Sequence, residues 1–216
     1  MIFEQLLGWF GIGVSRAHER EPQRCRRGSG IILASALALL FGTTPGVSAA
    51  EETALWRVLA SKGHVALLRH ATAPGTGDPS EFAIGVCGTQ RNLSEEGRKQ
   101  SGRIGARFRE NGIETARIFS SQWCRCLETA RLLGLGPVTE LPILNSFFQG
   151  PERRNRQTQA LEEWLASQDL DGPLVLVTHQ VNITALTGIY PASGELVVIR
   201  HSENGKFSVV GSIGTD

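Results

Sequence analysis

Two apolar runs along the chain stop abruptly at a histidine. His64-Val65-Ala66-Leu67-Leu68 ends at Arg69-His70, and Leu174-Val175-Leu176-Val177-Thr178 ends at His179. Runs this short, leucine-rich and β-branched, without polar alternation, predict strands buried on both faces. Elsewhere the apolar positions take the helical period. Leu55, Val58 and Leu59 line one side of a helix over 53–61, stopped by Lys62-Gly63. Ser94 caps a helix running to about Asn111, with Gly112 as its stop. A helix over 124–133 closes at Gly134, and Leu161, Trp164 and Leu165 mark another over 156–168. Residues 116–120 and 139–144 read as further strands, and a short helix follows His179. Segments 195–201 and 206–213 read as a hairpin around Asn204-Gly205. This alternation predicts a three-layer α/β/α sandwich with a mainly parallel central sheet. In open sheets of this kind ligands collect beyond the carboxyl ends of the strands, where both histidines fall.

Residues 1–50 follow another pattern. Arg24, Arg26 and Arg27 precede an apolar stretch over 31–42, then Thr43-Thr44-Pro45-Gly46 and the small residues Val47-Ser48-Ala49-Ala50. That order is expected of a signal peptide with an extended n-region, cleaved near Ala50. The apolar stretch falls short of the ~20 residues that span a bilayer, so an uncleaved anchor is the weaker alternative. Residues 51–216 then form one domain, expected in the periplasm or secreted, with no membrane span after cleavage.

Charge and cysteine content narrow the reading. The net charge is +1 over 216 residues, and no strongly basic face of the kind that binds nucleic acid is indicated. Beyond the leader lie Cys87, Cys124 and Cys126. In an oxidising compartment Cys87 can pair with Cys124 or Cys126, leaving one thiol free; three reduced cysteines are the alternative. Three cysteines without a fourth ligand, two of them spaced Cys-x-Cys, do not suit a zinc site, so no metal is expected.

Two imidazoles and nearby arginines suit a phosphate ester. A neutral imidazole is a competent nucleophile, and guanidinium forks match the oxygens of a transferring phosphoryl group. Four ordered blocks then carry a resemblance: Leu68-Arg69-His70-Ala71, Asn92-Leu93-Ser94-Glu95-Glu96-Gly97, the stretch from Ser120-Ser121 through Arg125 to Thr129-Ala130, and Val177-Thr178-His179. They resemble the histidine phosphatase superfamily, in its phosphoglycerate mutase-like branch. The resemblance implies that fold, with His70 as the nucleophile that is transiently phosphorylated. Arg69, Arg125 and His179 would bind the phosphoryl oxygens, with Thr72 beside them, and no cofactor is required. Arg125 opens a helix, where free N–H groups also favour an anion.

Departures from the family pattern matter as much. Ala71 stands where many relatives have glycine, and Gln180 follows the second histidine where one branch has aspartate. The general acid is open between Asp78, in the loop after His70, and Glu152. Without an acid, only good leaving groups such as phosphoramidates or acyl phosphates would depart. The loop over 73–82 and Phe147-Phe148 are candidates to roof the pocket, with Arg91, Arg153 and Arg154 as further anion contacts; core packing and a solvated edge are the plainer readings for the Phe pair and these arginines. The expectation is an exported, metal-independent phosphatase acting on a small-molecule or glycolipid phosphate ester. A non-catalytic phosphate-binding envelope module and a phosphoramidase-like (phosphohistidine) phosphatase are the alternatives.

Overall fold

The computed structural model describes residues 49–202 and 206–215. Six strands, β1 (His64–Arg69), β2 (Arg117–Ser120), β3 (Val138–Glu140), β4 (Leu174–Thr178), β5 (Leu196–His201) and β6 (Phe207–Ile213), form one sheet in the order β3-β2-β4-β1-β5-β6. The pairings β2–β3, β2–β4 and β1–β4 are parallel; β5 pairs antiparallel with both β1 and β6. The sheet is therefore mixed; β3, β2, β4 and β1 are its parallel part, and β1 and β4 among them carry the histidine ends.

Helices cover both faces, because the buried strands alternate their side chains between two cores. Ala66, Leu68, Val175 and Val177 join α1 (Ala49–Leu59), α2 (Glu95–Glu110) and α3 (Cys124–Leu133) in one core. Val65, Leu67, Leu174 and Leu176 meet α4 (Arg154–Ala166) and α5 (Gln180–Thr187) in the other. Ser94 caps α2 as its sequence indicates, its hydroxyl accepting from the Gly97 N–H at 3.0 Å. Gly97 itself lies so close to the Thr72 backbone that a Cβ there would sit 2.1 Å from the Thr72 carbonyl oxygen. Helix α2 can thus lie directly on the start of the loop that follows His70.

Three boundaries differ from the sequence reading. Helix α1 begins at Ala49, four residues early. The strand expected over 139–144 ends at Glu140 and passes into a 3₁₀ turn at Pro142–Leu144. Pro142 has no N–H to continue a ladder, which breaks the strand. Helix α4 starts at Arg154, directly after a 3₁₀ turn at Pro151–Arg153. The tip of the closing hairpin and the expected signal peptide, Ala49-Ala50 apart, lie outside the described residues. Among the described residues no helix is long and apolar enough to cross a membrane.

Candidate active site

Strand register brings the two histidines together. Arg69 pairs with Thr178 across β1 and β4, so His70 and His179 leave the sheet side by side. The His70 N–H donates to the Thr178 carbonyl at 3.0 Å, and the two rings lie 5.5 Å apart. On the other side of β4, the Ser121 N–H donates to the Val177 carbonyl, which delivers the turn into α3 and its Arg125 to the same edge. These ends floor a cavity of about 420 Å³, within the size range of small-molecule sites.

The protonation of His70 follows from its contacts. Its Nδ1 lies 2.8 Å from the Ala71 carbonyl oxygen, which only accepts, so the proton is on Nδ1. Its Nε2 receives the Arg125 Nε–H at 3.2 Å and must therefore offer a lone pair. Burial, then the positive charge of Arg125, push the imidazole down to about 3, so it is neutral at physiological pH. A neutral ring with Nε2 unprotonated is the form that attacks phosphorus.

Arg125 is itself held by Asp78. The pair is bidentate, at 2.7 and 3.0 Å, with the two side chains only 3% and 5% exposed. Asp78 also accepts from the Trp123 indole and the Arg91 N–H. Burial alone would raise this carboxyl, but its hydrogen bonds and the charge of Arg125 outweigh burial and hold it below the ordinary carboxylate range. Asp78, one of the two carboxylates left open as general acid, thus sits as an ionised counter-anion to Arg125. Glu152 is exposed in the 3₁₀ turn before α4 and is not among the residues that line the cavity. Asp78 is the sole carboxylate among the described residues of the lining.

Arg69, Arg91 and Arg153 join Arg125 in the lining. Four guanidinium groups against one carboxylate leave the cavity strongly positive, and both histidines are neutral. The Arg69 NH1 donates to the Pro191 carbonyl at 2.8 Å, whereas its Nε is buried without a partner. A buried, unpaired cationic donor is costly, and an anion in the cavity offsets that cost. Arg91 is tied to the backbone carbonyls of Ala73 and Gly77, which fastens the loop over the site.

His179 is held by a relay. Its Nε2 lies 2.9 Å from the Ser121 hydroxyl, which donates to Asn145 Oδ1 at 3.2 Å. With the hydroxyl proton committed there, His179 Nε2 is the donor to Ser121. Burial, then His70 and Arg125, push His179 well below its ordinary value, so it is neutral, not the imidazolium, at physiological pH. The buried Cys126 sulfur lies 3.5 Å from the same nitrogen, and burial pushes its thiol up to about 12, an inert value.

Other expectations divide. Thr72 is not part of the lining: its N–H and hydroxyl both donate to Gln100 Oε1. The Cys124 N–H at the start of α3 is taken by Gln90 Oε1 at 2.9 Å, so that amide is not offered to an anion. Cys87 pairs with Cys124, and among the described residues Cys126 is the free thiol. The loop over 73–82 does wall the cavity, through Gly75, Thr76, Gly77, Asp78 and Phe82. Phe147 is buried while Phe148 is exposed in the lining, and Arg154 lies outside it. Sequence reasoning did not find Asn145, Ile84, Trp123 or Tyr190 as site residues, and it gave Ser121 no site role beyond membership of its block. Asn145 and Ser121 act through contacts between segments distant in the chain, which no local pattern signals.

Comparison with known proteins agrees with the first three blocks, and Val177-Thr178-His179 lies outside the family match. The model of the histidine phosphatase superfamily (branch 1) matches residues 65–150. The structure of the protein histidine phosphatase SixA complexed with tungstate aligns with a TM-score of 0.52 at 14% identity, over 70% of this chain and 97% of that one. YhfR from Bacillus stearothermophilus gives 0.53 at 16%, over 68% and 95%. A mycobacterial glucosyl-3-phosphoglycerate phosphatase in complex with VO3 gives 0.51 at 16%, over 68% and 97%. At these identities the likeness shows the fold, which is phosphoglycerate mutase-like. No curated protein matches the sequence.

Proposed function

With membership of the histidine phosphatase superfamily as the premise, we propose that this protein is a metal-independent phosphatase that works through a phosphohistidine on His70. The observation that carries the reading is the neutral, Nε2-unprotonated His70 facing a cavity with four guanidinium groups. Nε2 attacks phosphorus, and Arg69 and Arg125 bear the charge on the phosphoryl oxygens. Water then hydrolyses the P–N bond and restores the imidazole. The arginines supply the positive charge that a metal supplies in other phosphatases. Tungstate on SixA and VO3 on the mycobacterial enzyme are oxyanions of the kind this cavity suits.

The ion-paired Asp78 and a Glu152 outside the cavity lining favour a second reading of the same site, a phosphoramidase-like enzyme for which no strong acid is needed. Export is proposed from the leader pattern and is supported by the Cys87–Cys124 disulfide, a bond that persists in oxidising compartments. The test is hydrolysis of phenyl phosphate and of a phosphoramidate by the purified protein with and without chelator. Turnover unaffected by chelator and inhibited by vanadate is expected. Binding of vanadate without turnover of either would make the protein a phosphate-binding module instead. Mass spectrometry of the exported protein is expected to find a new N-terminus near Glu51.

A further inference from the structure

Toward solvent the cavity changes character. Seven large apolar or aromatic side chains are exposed among the described residues. Three of them, Ile84, Phe148 and Tyr190, line this one cavity at 49%, 54% and 74% exposure. Single exposed apolar residues are ordinary. Three from separate segments around one mouth mark a binding surface. Phe82, stacked on Trp123 with centroids 4.7 Å apart, continues that wall inward. Ile84, Phe148 and Phe82 have no polar atom to receive phosphoryl charge, so what they cover is the remainder of the substrate.

A second observation is independent of the first. The cavity's one carboxylate, Asp78, is held ionised by Arg125, Trp123 and Arg91. An ionised carboxylate has no proton to give, so the leaving oxygen departs with its charge. An alkoxide does so poorly, whereas a phenolate, whose conjugate acid has a pKa near ~10, does so readily.

From these two observations we propose that the substrates are aryl phosphate monoesters, the ring seated among Ile84, Phe148 and Tyr190. This rests on the phosphatase reading above and names its substrate class. His70 Nε2 forms a bond to phosphorus while the P–O(aryl) bond breaks, its electron pair leaving on the phenolate oxygen. The phenolate takes a proton from solvent. A water oxygen then attacks phosphorus and gives a proton to solvent, and the P–N pair returns to Nε2 as phosphate departs.

The experiment compares phenyl, cyclohexyl and 2-naphthyl phosphate. Phenyl phosphate is expected to exceed cyclohexyl phosphate by at least about 100-fold in kcat/KM. The added ring of the naphthyl ester is expected to give about a fivefold further gain. Phe148→Ser brings the naphthyl-to-phenyl ratio to about one, and Phe148→Leu restores most of it. Cyclohexyl phosphate within tenfold of phenyl phosphate, or an unchanged ratio in Phe148→Ser, overturns the proposal. If no ester is turned over, the phosphatase reading itself has failed, and calorimetry with phenylphosphonate and methylphosphonate decides aryl recognition separately. Phenylphosphonate binding at least fivefold tighter supports it; equal affinities overturn it.

Discussion

The floor and the wall of the cavity are built by different means. On the floor, Arg69, His70 and His179 take their places from parallel pairing of β1 with β4, whose residues are wholly or nearly wholly buried at the paired positions 65–68 and 174–177. Main-chain ladders leave those positions little freedom. The wall over residues 73–92 has no strand at all. It is fastened by Arg91 to two carbonyls, by Asp78 to Arg125 and Trp123, by Gln90 to the start of α3, and by the Cys87–Cys124 disulfide. A floor set by backbone preserves one chemistry, whereas a wall set by side chains can be altered to suit a leaving group.

The sharpest break between the two comes from removing the proposed nucleophile. His70→Ala is expected to lower kcat by about 10⁴-fold or more, with the circular dichroism spectrum unchanged. On the wall, Asp78→Asn leaves Arg125 buried without its counter-charge. It is expected to lower activity by about 10- to 100-fold and stability by about 3 kcal/mol in urea unfolding. Because Asp78 positions and does not protonate, the activity loss should be equal for phenyl and 4-nitrophenyl phosphate. A loss concentrated on the poorer leaving group would restore Asp78 as the acid.

Loosening the wall elsewhere has a smaller effect. Serine at both Cys87 and Cys124 opens a loop of 37 residues' separation and is expected to destabilise by about 2–4 kcal/mol, seen as a lower urea midpoint. Activity should fall by less than in Asp78→Asn, since the ion pair is still present.

Around neutrality the effect of pH is the smallest, and it grows toward either extreme. His70 is held from its ordinary 6.5 down to about 3, so between those values the unfolded chain binds the proton that the fold refuses. Stability is therefore complete above about 6.5 and falls as pH drops toward 3, by at most about 1.4 kcal/mol per unit from this residue. Cys126 acts at the other end: its thiol lies at about 12 in the fold against 9.0 ordinarily, so stability declines as pH rises through that interval. Nitrogen NMR of His70 should show the neutral Nδ1–H form throughout pH 5–8.

The floor was legible in the sequence because its signals are local. An apolar run that ends at a charged residue states both the strand and its terminus, and Ser94 and Gly134 mark helix ends at the residues where α2 and α3 begin and stop. The sequence left Cys87 to pair with Cys124, with Cys126 or with neither, and choosing among these required knowing that Cys124 faces the 87–89 turn while Cys126 faces His179. The wall was less legible. Asp78 looks like a free carboxylate in a polar loop until folding brings Arg125 against it from 47 residues away. Phe147 and Phe148 are alike in sequence, and only the turn at their position sends one inward and the other to the cavity. Ser121 and Asn145 gain their role purely from contact with His179 and with each other.

Rapid quenching of the purified protein with a radiolabelled aryl phosphate bears most directly on His70 as the nucleophile. The expected product is a phosphoryl group on His70 Nε2, labile in acid and stable in base, absent from His70→Ala and lost on chase with unlabelled substrate. Turnover without covalent phosphate, or phosphate found on any other side chain, would contradict it.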